Sequence, residues 1–249
     1  MNLKAMQRMA QEFPKDGVPP FPCPTCGDPL KARADEIHLD PSAESQFHFD
    51  NEGDPTMLFG IFTLRLVCSN PSCNEPANCT GLYRVVSESD TSGEILYRTM
   101  LAPAFFTPTI HIFPIPSKLP DKIRNPLMDS FSTFWANPSA AGNSLRISVE
   151  ALMDYRCEKK WTTEKDGKEK EIPLHHRIVA FQKKSPHIGE KLLAIKWLGN
   201  SGSHLTGLQR KDVIKGYLLY SHVLEELFEK RTETLDAMAR KINKRKGPA

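Results

Sequence analysis

The chain changes character at Pro120, and this change constrains its fold more than any other sequence feature. Residues 1–120 contain 15 of the 20 prolines and nine Lys or Arg against 14 Asp or Glu, a net charge of −5. Residues 121–249 contain 24 Lys or Arg against 16 Asp or Glu, a net charge of +8. The apolar residues also change from a period of two to a period of 3.6. We therefore predict an α+β protein, with a small β-rich domain over residues 1–118 and an α-helical bundle over residues 119–249.

Composition excludes several classes of protein. Charged residues make up 25% and hydrophobic residues 39% of the 249 positions, which is unlike a disordered chain. No apolar run reaches the ~18 residues of a membrane helix. The N-terminal 17 residues lack the apolar core of a signal peptide, so we expect a cytoplasmic protein with no membrane partner. The overall charge of +3 is too small to indicate a nucleic-acid-binding protein by itself.

Two pairs of cysteines have the spacing of a metal site. Two residues separate Cys23 from Cys26, which is followed by a glycine, and Cys68 and Cys73 follow an apolar run about 40 residues later. Cysteines of cytoplasmic proteins bind metal more often than they form disulfides. We predict that these four thiolates hold a structural Zn²⁺, with no open position for catalysis.

Some alternatives for this site remain open. Cys79 could replace Cys73 as the fourth ligand, or the cysteines could be unrelated free thiols. His38 and His48 are possible ligands, although a lone histidine in a polar loop is more often solvated. A strand over 57–67 and a returning strand over 81–86 flank the second pair, which is the layout of a zinc ribbon.

The rest of the first part gives weaker signals. A short helix is predicted within residues 1–13, and two further strands over 96–100 and 109–113, the latter carrying His111 on its outer side. Residues 29–56 are acidic and show no periodicity. We interpret them as a long, partly mobile insertion between the two cysteine pairs.

The second part is predicted to be helical. Residues 158–171 are almost all charged and predict an exposed loop, and the basic stretch 240–246 is interpreted as a solvated helix end rather than a dedicated RNA patch. The predicted helices cover 121–136, 139–157, 173–183, 189–200 and 209–240. Together they make a helical bundle.

Two polar groups interrupt these amphipathic helices. Arg146 and Glu150 are four residues apart and can pair on one helix face. Lys196, Asn200 and His204 lie at i, i+4 and i+8, on one side of a helix if the helix continues through Gly199 and Gly202. Spacing alone favours a helix break in this segment, with His204 as a capping or core residue.

Three segments resemble successive motifs of domain-of-unknown-function family 4145, a branch of the HEPN superfamily. They are LPDKI at 119–123, SLRISVEAL at 144–152 and GNSGSH at 199–204, and the resemblance covers roughly residues 119–230. A zinc ribbon ahead of the bundle is also found in many members of this branch. The resemblance implies a HEPN-like bundle that forms a homodimer with its histidine-bearing helices facing each other. It also implies a defence-system partner protein, since such genes often lie beside restriction–modification and other antiphage genes.

Many HEPN proteins are metal-independent ribonucleases in which four to six residues separate an arginine from the catalytic histidine. The resemblance implies that His204 is the general acid or base and that Asn200 orients it or the phosphate. Gly199 stands where the family has arginine, so the cation would come from Lys196 or Arg146. Arg146 is not available for this role if it is already paired with Glu150.

Three functions therefore remain open from the sequence. The first is an endoribonuclease of bacterial defence. The second is a non-catalytic module with a degenerate motif that binds RNA, another nucleic acid or a protein partner. The third is a dimeric structural subunit in which Arg146 and Glu150 form only a helix pair.

Overall fold

The structure, a computed structural model, describes residues 3–89, 91–156, 159–164, 167–201, 207–229, 231–245 and 247. The side chains of residues 33–35 and 231–233 are not described. A curled antiparallel sheet comes first and a series of helices follows it. This arrangement confirms the predicted α+β class.

The sheet has five strands in the order β1-β5-β4-β3-β2, and all neighbouring strands are antiparallel. The strands are β1 (Phe13–Pro14), β2 (Leu30–Pro41), β3 (Phe59–Cys68), β4 (Pro76–Ser89) and β5 (Ile95–Thr107). The predicted strands over 57–67, 81–86 and 96–100 fall within or close to β3, β4 and β5. The last two strands are longer than predicted.

One face of the sheet covers the protein core. Residues of β3 alternate between buried and exposed, so that Phe62 and Leu64 are fully buried while Ile61 is exposed. Rings from both parts of the chain meet on the buried face, where Phe106 of β5 lies 4.6 Å from Trp135, centroid to centroid. Trp135 also donates a hydrogen bond from Nε1 to the Met9 carbonyl at 3.1 Å.

The interpretation of residues 29–56 as an unpatterned insertion is wrong. This segment forms β2 and the helix α2 (Ala43–Glu52). A register shift between Ala32 and Ile37 interrupts β2 and hides its alternation. The helix begins at Ser42, whose hydroxyl accepts a hydrogen bond from the Ser45 amide at 3.1 Å.

The predicted strand over 109–113 is also wrong. The segment pairs with no strand of the described residues, yet Ile110, Ile112 and Phe113 are buried. Phe113 packs edge-on against Phe131 with 5.1 Å between the ring centroids. The apolar pattern therefore marks a linker that packs on the helices, and His111 does not lie on a strand.

The helical part confirms most of the predicted helices. Its elements are α3 (Asp121–Thr133), α4 (Pro138–Tyr155), α5 (Leu174–Gln182), α6 (Pro186–Ser201), α7 (Arg210–Leu224) and α8 (Arg231–Arg245), after the short N-terminal α1 (Leu3–Met9). A π-turn at Glu225–Glu229 divides the predicted helix over 209–240 into α7 and α8. The predicted loop over 158–171 contains a hairpin of two exposed strands, β6 (Trp161–Thr163) and β7 (Glu169–Glu171).

Two buried tyrosines of α7 fix it against α3 and α4. The Tyr217 hydroxyl donates to the Ser130 carbonyl at 2.9 Å and lies 2.8 Å from the Ser130 hydroxyl. The Tyr220 hydroxyl lies 2.9 Å from the Ser148 hydroxyl. Because every buried hydroxyl here has a partner, these polar groups specify how the helices pack. Within the described ranges, no helix has both the length and the apolar character of a membrane span.

Candidate functional site

Four cysteine thiols come together at one end of the sheet. The Sγ atoms of Cys23, Cys26, Cys68 and Cys73 all lie within 4.8 Å of one another, and all four residues are free of disulfides. The Cys26 and Cys68 sulfurs are 3.4 Å apart, and those of Cys23 and Cys73 are 3.8 Å apart. Four sulfurs at ~2.3 Å from one tetrahedral ion would be about 3.8 Å apart. The cluster therefore has the dimensions of a metal site.

The sheet topology explains why distant cysteines meet. Leu30, the first residue of β2, pairs with Cys68, the last residue of antiparallel β3. The loop before β2 and the loop after β3 therefore lie at the same end of the sheet. A direct contact joins the two loops, since the side-chain amide of Asn70 donates to the Asp28 carboxylate at 2.8 Å.

The two loops have the same local structure. The Thr25 amide donates to the Cys23 sulfur, and the Asn70 amide donates to the Cys68 sulfur, each at 3.4 Å. The residue after each second cysteine has a positive φ, 80° at Gly27 and 49° at Asn74. Glycine and asparagine tolerate this conformation, which lets the chain turn around the sulfurs.

The surroundings of the thiols affect their charge. Burial raises the pKa of the Cys68 thiol. Burial acts in the same direction at Cys23, but hydrogen bonds from the Cys26 and Thr25 backbone and from the Cys73 and Cys68 side chains together lower the pKa of that thiol. A cation at the centre of the cluster would stabilise all four thiolates.

The structure also decides between Cys73 and Cys79. Cys79 is fully buried within β4 and is not part of the cluster, and burial strongly raises the pKa of its thiol. It is a core residue. His38 lies on β2 and His48 on α2, and neither belongs to the cysteine cluster.

The helical part brings Arg146 of α4 against Gly199 of α6. A Cβ built on Gly199 would lie 2.5 Å from the Arg146 Cβ and 2.8 Å from the Gly142 carbonyl oxygen. Gly199 is therefore required for the close approach of the two helices. The Cβ and Cγ of Arg146 occupy the space that a side chain at residue 199 would need.

Arg146 and Glu150 form the predicted pair. The Arg146 Nη1 and a Glu150 carboxylate oxygen are 3.6 Å apart, and Arg146 Nε donates to the Asn143 side chain at 3.4 Å. The Arg146 and Glu150 side chains are 28% and 29% exposed, so the pair remains accessible from solvent.

Lys196 and Asn200 lie on α6 as expected, and both are half-buried. Their positions, three before and one after Gly199, put them on one side of the contact with α4. The Lys196 ammonium lies 3.4 Å from the centroid of the Trp197 ring. His204 lies outside the described residues.

Sequence reasoning missed two features. Arg177 of α5 is fully buried and bonds to Asp154 of α4. A cavity of about 690 Å³ lies beside the first cysteine loop, and His111 and Arg124 are among its lining residues. The sequence does not reveal the roles of Arg177 and Arg124, because each lies in an amphipathic helix, where a charged residue usually marks the solvent-exposed face. His111 was singled out, but on the wrong element.

Two family models match this chain, one on each side of residue 120. Residues 129–245 match a domain of unknown function, DUF4145, and residues 11–106 match another, DUF8608. The first match supports the resemblance to DUF4145 for the helical part. The second covers the cysteine cluster. No curated protein and no solved structure matches the chain.

Proposed function

We propose that the cysteine cluster holds a structural Zn²⁺ in a zinc-ribbon-like site. The support is the set of four sulfurs within 4.8 Å, together with the amide-to-sulfur hydrogen bonds in both loops. Zinc prefers this all-thiolate tetrahedral arrangement. The ion would cross-link the start of β2 to the end of β3, with no position left for a substrate.

For the helical part, we propose a HEPN-like, metal-independent endoribonuclease in which Arg146 supplies the cation absent at position 199. The observation that carries this proposal is the close packing of Arg146 over Gly199. The guanidinium comes from α4, and the glycine on α6 provides the space for the Cβ and Cγ of the arginine that carries it. Lys196 is the weaker candidate because its ammonium already lies on the Trp197 ring.

The roles of the remaining residues follow from the chemistry of RNA cleavage. His204 removes the proton from a ribose 2′-hydroxyl or protonates the leaving 5′-oxygen, and solvent water exchanges the other of these two protons. The 2′-oxygen then bonds to phosphorus as the bond to the 5′-oxygen breaks, leaving a 2′,3′-cyclic phosphate. Arg146 stabilises the charge that develops on the phosphate, and Glu150 orients its guanidinium. Asn200 positions the histidine or the phosphate.

Several properties belong to the same proposal. The protein acts as a cytoplasmic homodimer that brings two copies of His204 together, and a partner protein of a defence system controls it. These properties rest on the HEPN resemblance, which the DUF4145 match supports only at the level of that family.

A second candidate is a non-catalytic module that binds RNA. It is favoured by the ion pair of Arg146 with Glu150, which reduces the charge available to a phosphate. The exposed helix α8 adds Arg240, Lys241 and Lys244 as phosphate contacts. Binding of this kind falls steeply with salt concentration.

The test is cleavage of end-labelled RNA in EDTA by the full chain. We expect Arg146→Met to reduce the rate about 100-fold or more and Arg146→Lys to restore part of it. Arg8→Met on α1 is the matched control, since it removes the same charge from an exposed position outside both candidate RNA sites. Zinc content and helicity, measured before EDTA is added, show that each variant is folded. An equal loss of the cleavage rate in both methionine variants would contradict a site at Arg146. Salt-sensitive RNA binding without cleavage would support the second candidate.

A further inference from the structure

A cavity separates the first cysteine loop from helix α3. Its volume is about 690 Å³, within the range of small-molecule sites. Residues 22–28 form one wall, and residues 111, 114, 115, 124 and 128 form the other. The cavity lies away from Arg146 and Glu150, which do not line it.

One wall carries hydrogen-bond donors that the protein itself leaves unused. The Arg124 Nε is buried without a hydrogen-bond partner in the described part of the chain. Its Nη2 makes one long bond of 3.5 Å to the Ser117 carbonyl. The terminal nitrogens of this guanidinium carry further N–H groups, from which a ligand in the cavity would accept.

The adjoining surface is flat and apolar. Pro114, Ile115 and Met128 line it together with the His111 ring. Burial, assisted by the nearby Arg124 charge, lowers the pKa of His111, so the imidazole is neutral at pH 7. A neutral imidazole can stack on a planar ring.

The opposite wall accepts hydrogen bonds and is negatively charged. Asp28 lines it next to Cys23 and Cys26. The Asp28 Oδ2 accepts from the Asn70 side-chain amide at 2.8 Å and from the Cys26 thiol at 3.6 Å, which leaves the lone pairs of Oδ1 for a ligand. With Zn²⁺ bound as proposed, four thiolates would add a net charge of about −2. These charges disfavour an anionic group at this wall.

From these walls we infer a binding site for a guanine base. Guanine is neutral and planar, and its N7 and O6 accept from an arginine at one edge. Its ring N–H and amino group, on another edge, donate to a carboxylate. Arg124 reads the first edge, Asp28 reads the second, and His111 stacks on the ring. The inference goes beyond the proposed function, since it needs neither Arg146 nor RNA cleavage.

The test is a titration of the zinc-loaded full chain, labelled at the methionine methyl groups, with guanosine, adenosine, cytidine and uridine. We expect guanosine to shift the Met128 signal and the other three to bind at least about tenfold more weakly. Arg124→Met weakens guanosine binding by about tenfold or more. Lys122→Met, at an exposed position of the same helix, leaves it unchanged.

A second arm identifies the source of the base. The tetranucleotides UUGU and UUAU are compared with free guanosine 5′-monophosphate in the same titration. A shift with UUGU but not UUAU supports a guanine within RNA, and a shift with the free nucleotide alone supports a free nucleotide. Absence of any shift at millimolar concentrations, equal binding of all four nucleosides, or unchanged binding by Arg124→Met would overturn the inference.

Discussion

Gly199 of α6 lies directly against Arg146 of α4, so closely that a methyl group on the glycine would be 2.5 Å from the Arg146 Cβ. The backbone oxygen of Gly142 would be only 2.8 Å away. This contact accounts for the glycine at position 199. In this arrangement of α4 and α6, the Cβ and Cγ of Arg146 and the Gly142 carbonyl leave no room for a side chain there.

The first prediction concerns this contact. Gly199→Ala should destabilise the protein by about 1–3 kcal/mol, because two backbones must separate. The sign of this stability change is informative, since replacing glycine by alanine in a helix interior normally stabilises the helix by ~1 kcal/mol. Chemical denaturation measures the change. Ser201→Ala, exposed on the same helix, serves as the control, and a stabilised Gly199→Ala protein would show that the helices do not touch there.

The second prediction separates the cysteines. Cys73→Ala should reduce zinc from one ion per chain to a small fraction and lower the melting temperature, since the ion cross-links two strands. Cys79→Ala should keep its zinc, because this thiol lies in the sheet core outside the cluster. Elemental analysis of purified protein gives the ratio. Loss of zinc in the Cys79 variant, with retention in the Cys73 variant, would reverse the assignment.

The third prediction concerns the buried charge of Arg177. Its Nε and Nη1 are buried and unpartnered among the described residues, so Asp154 is its main compensation. Asp154→Ala should cost about 2 kcal/mol, a moderate value because the carboxylate is 42% exposed. Arg177→Met should cost less than about 1 kcal/mol. This change removes the buried charge itself and leaves only the partly exposed Asp154 carboxylate without its ion-pair partner. Urea denaturation measures the free energy of unfolding of both variants. A larger decrease in Arg177→Met than in Asp154→Ala would contradict this prediction.

The fourth prediction concerns pH. Burial and the Arg124 charge lower the pKa of His111 below its ordinary 6.5. The unfolded chain then binds more protons at His111 than the folded chain as pH falls below about 6.5, so this residue reduces stability at acid pH. The penalty disappears as pH rises above 6.5, because His111 is then neutral in both the folded and the unfolded chain. Histidine-resolved nuclear magnetic resonance should give a midpoint below 6.5, and His111→Gln should reduce the acid-side loss of stability.

The sequence predicted the elements whose patterns are unbroken. The strict alternation in β3 and the 3.6-residue period in α4 gave their class and approximate bounds, and paired spacing gave all four cysteines. The register shift in β2 removed the alternation on which a strand prediction depends. In the linker at 110–113, burial against helices produced the alternation of a strand without a neighbouring strand.

The contacts between elements could not be predicted in this way. Gly199 and Gly202 predict either a close approach of another backbone or a helix break, and at Gly199 the structure shows the close approach, with the helix continuing to Ser201. Nothing local in the sequence shows that α4 passes within contact distance of this glycine. The cavity at Arg124 is hidden for the same reason, because its two walls are about 100 residues apart in the chain.

The most direct test of the central claim is the chemistry of the cut end. The full chain and its His204→Ala variant are incubated with end-labelled transfer RNA and single-stranded RNA in EDTA, and the product termini are identified by mass spectrometry. We expect product ends that carry a 2′,3′-cyclic phosphate. Their formation should require His204 and should be reduced in the Arg146→Met variant. Cleavage that is independent of His204, or that leaves only 3′-hydroxyl ends, would contradict it.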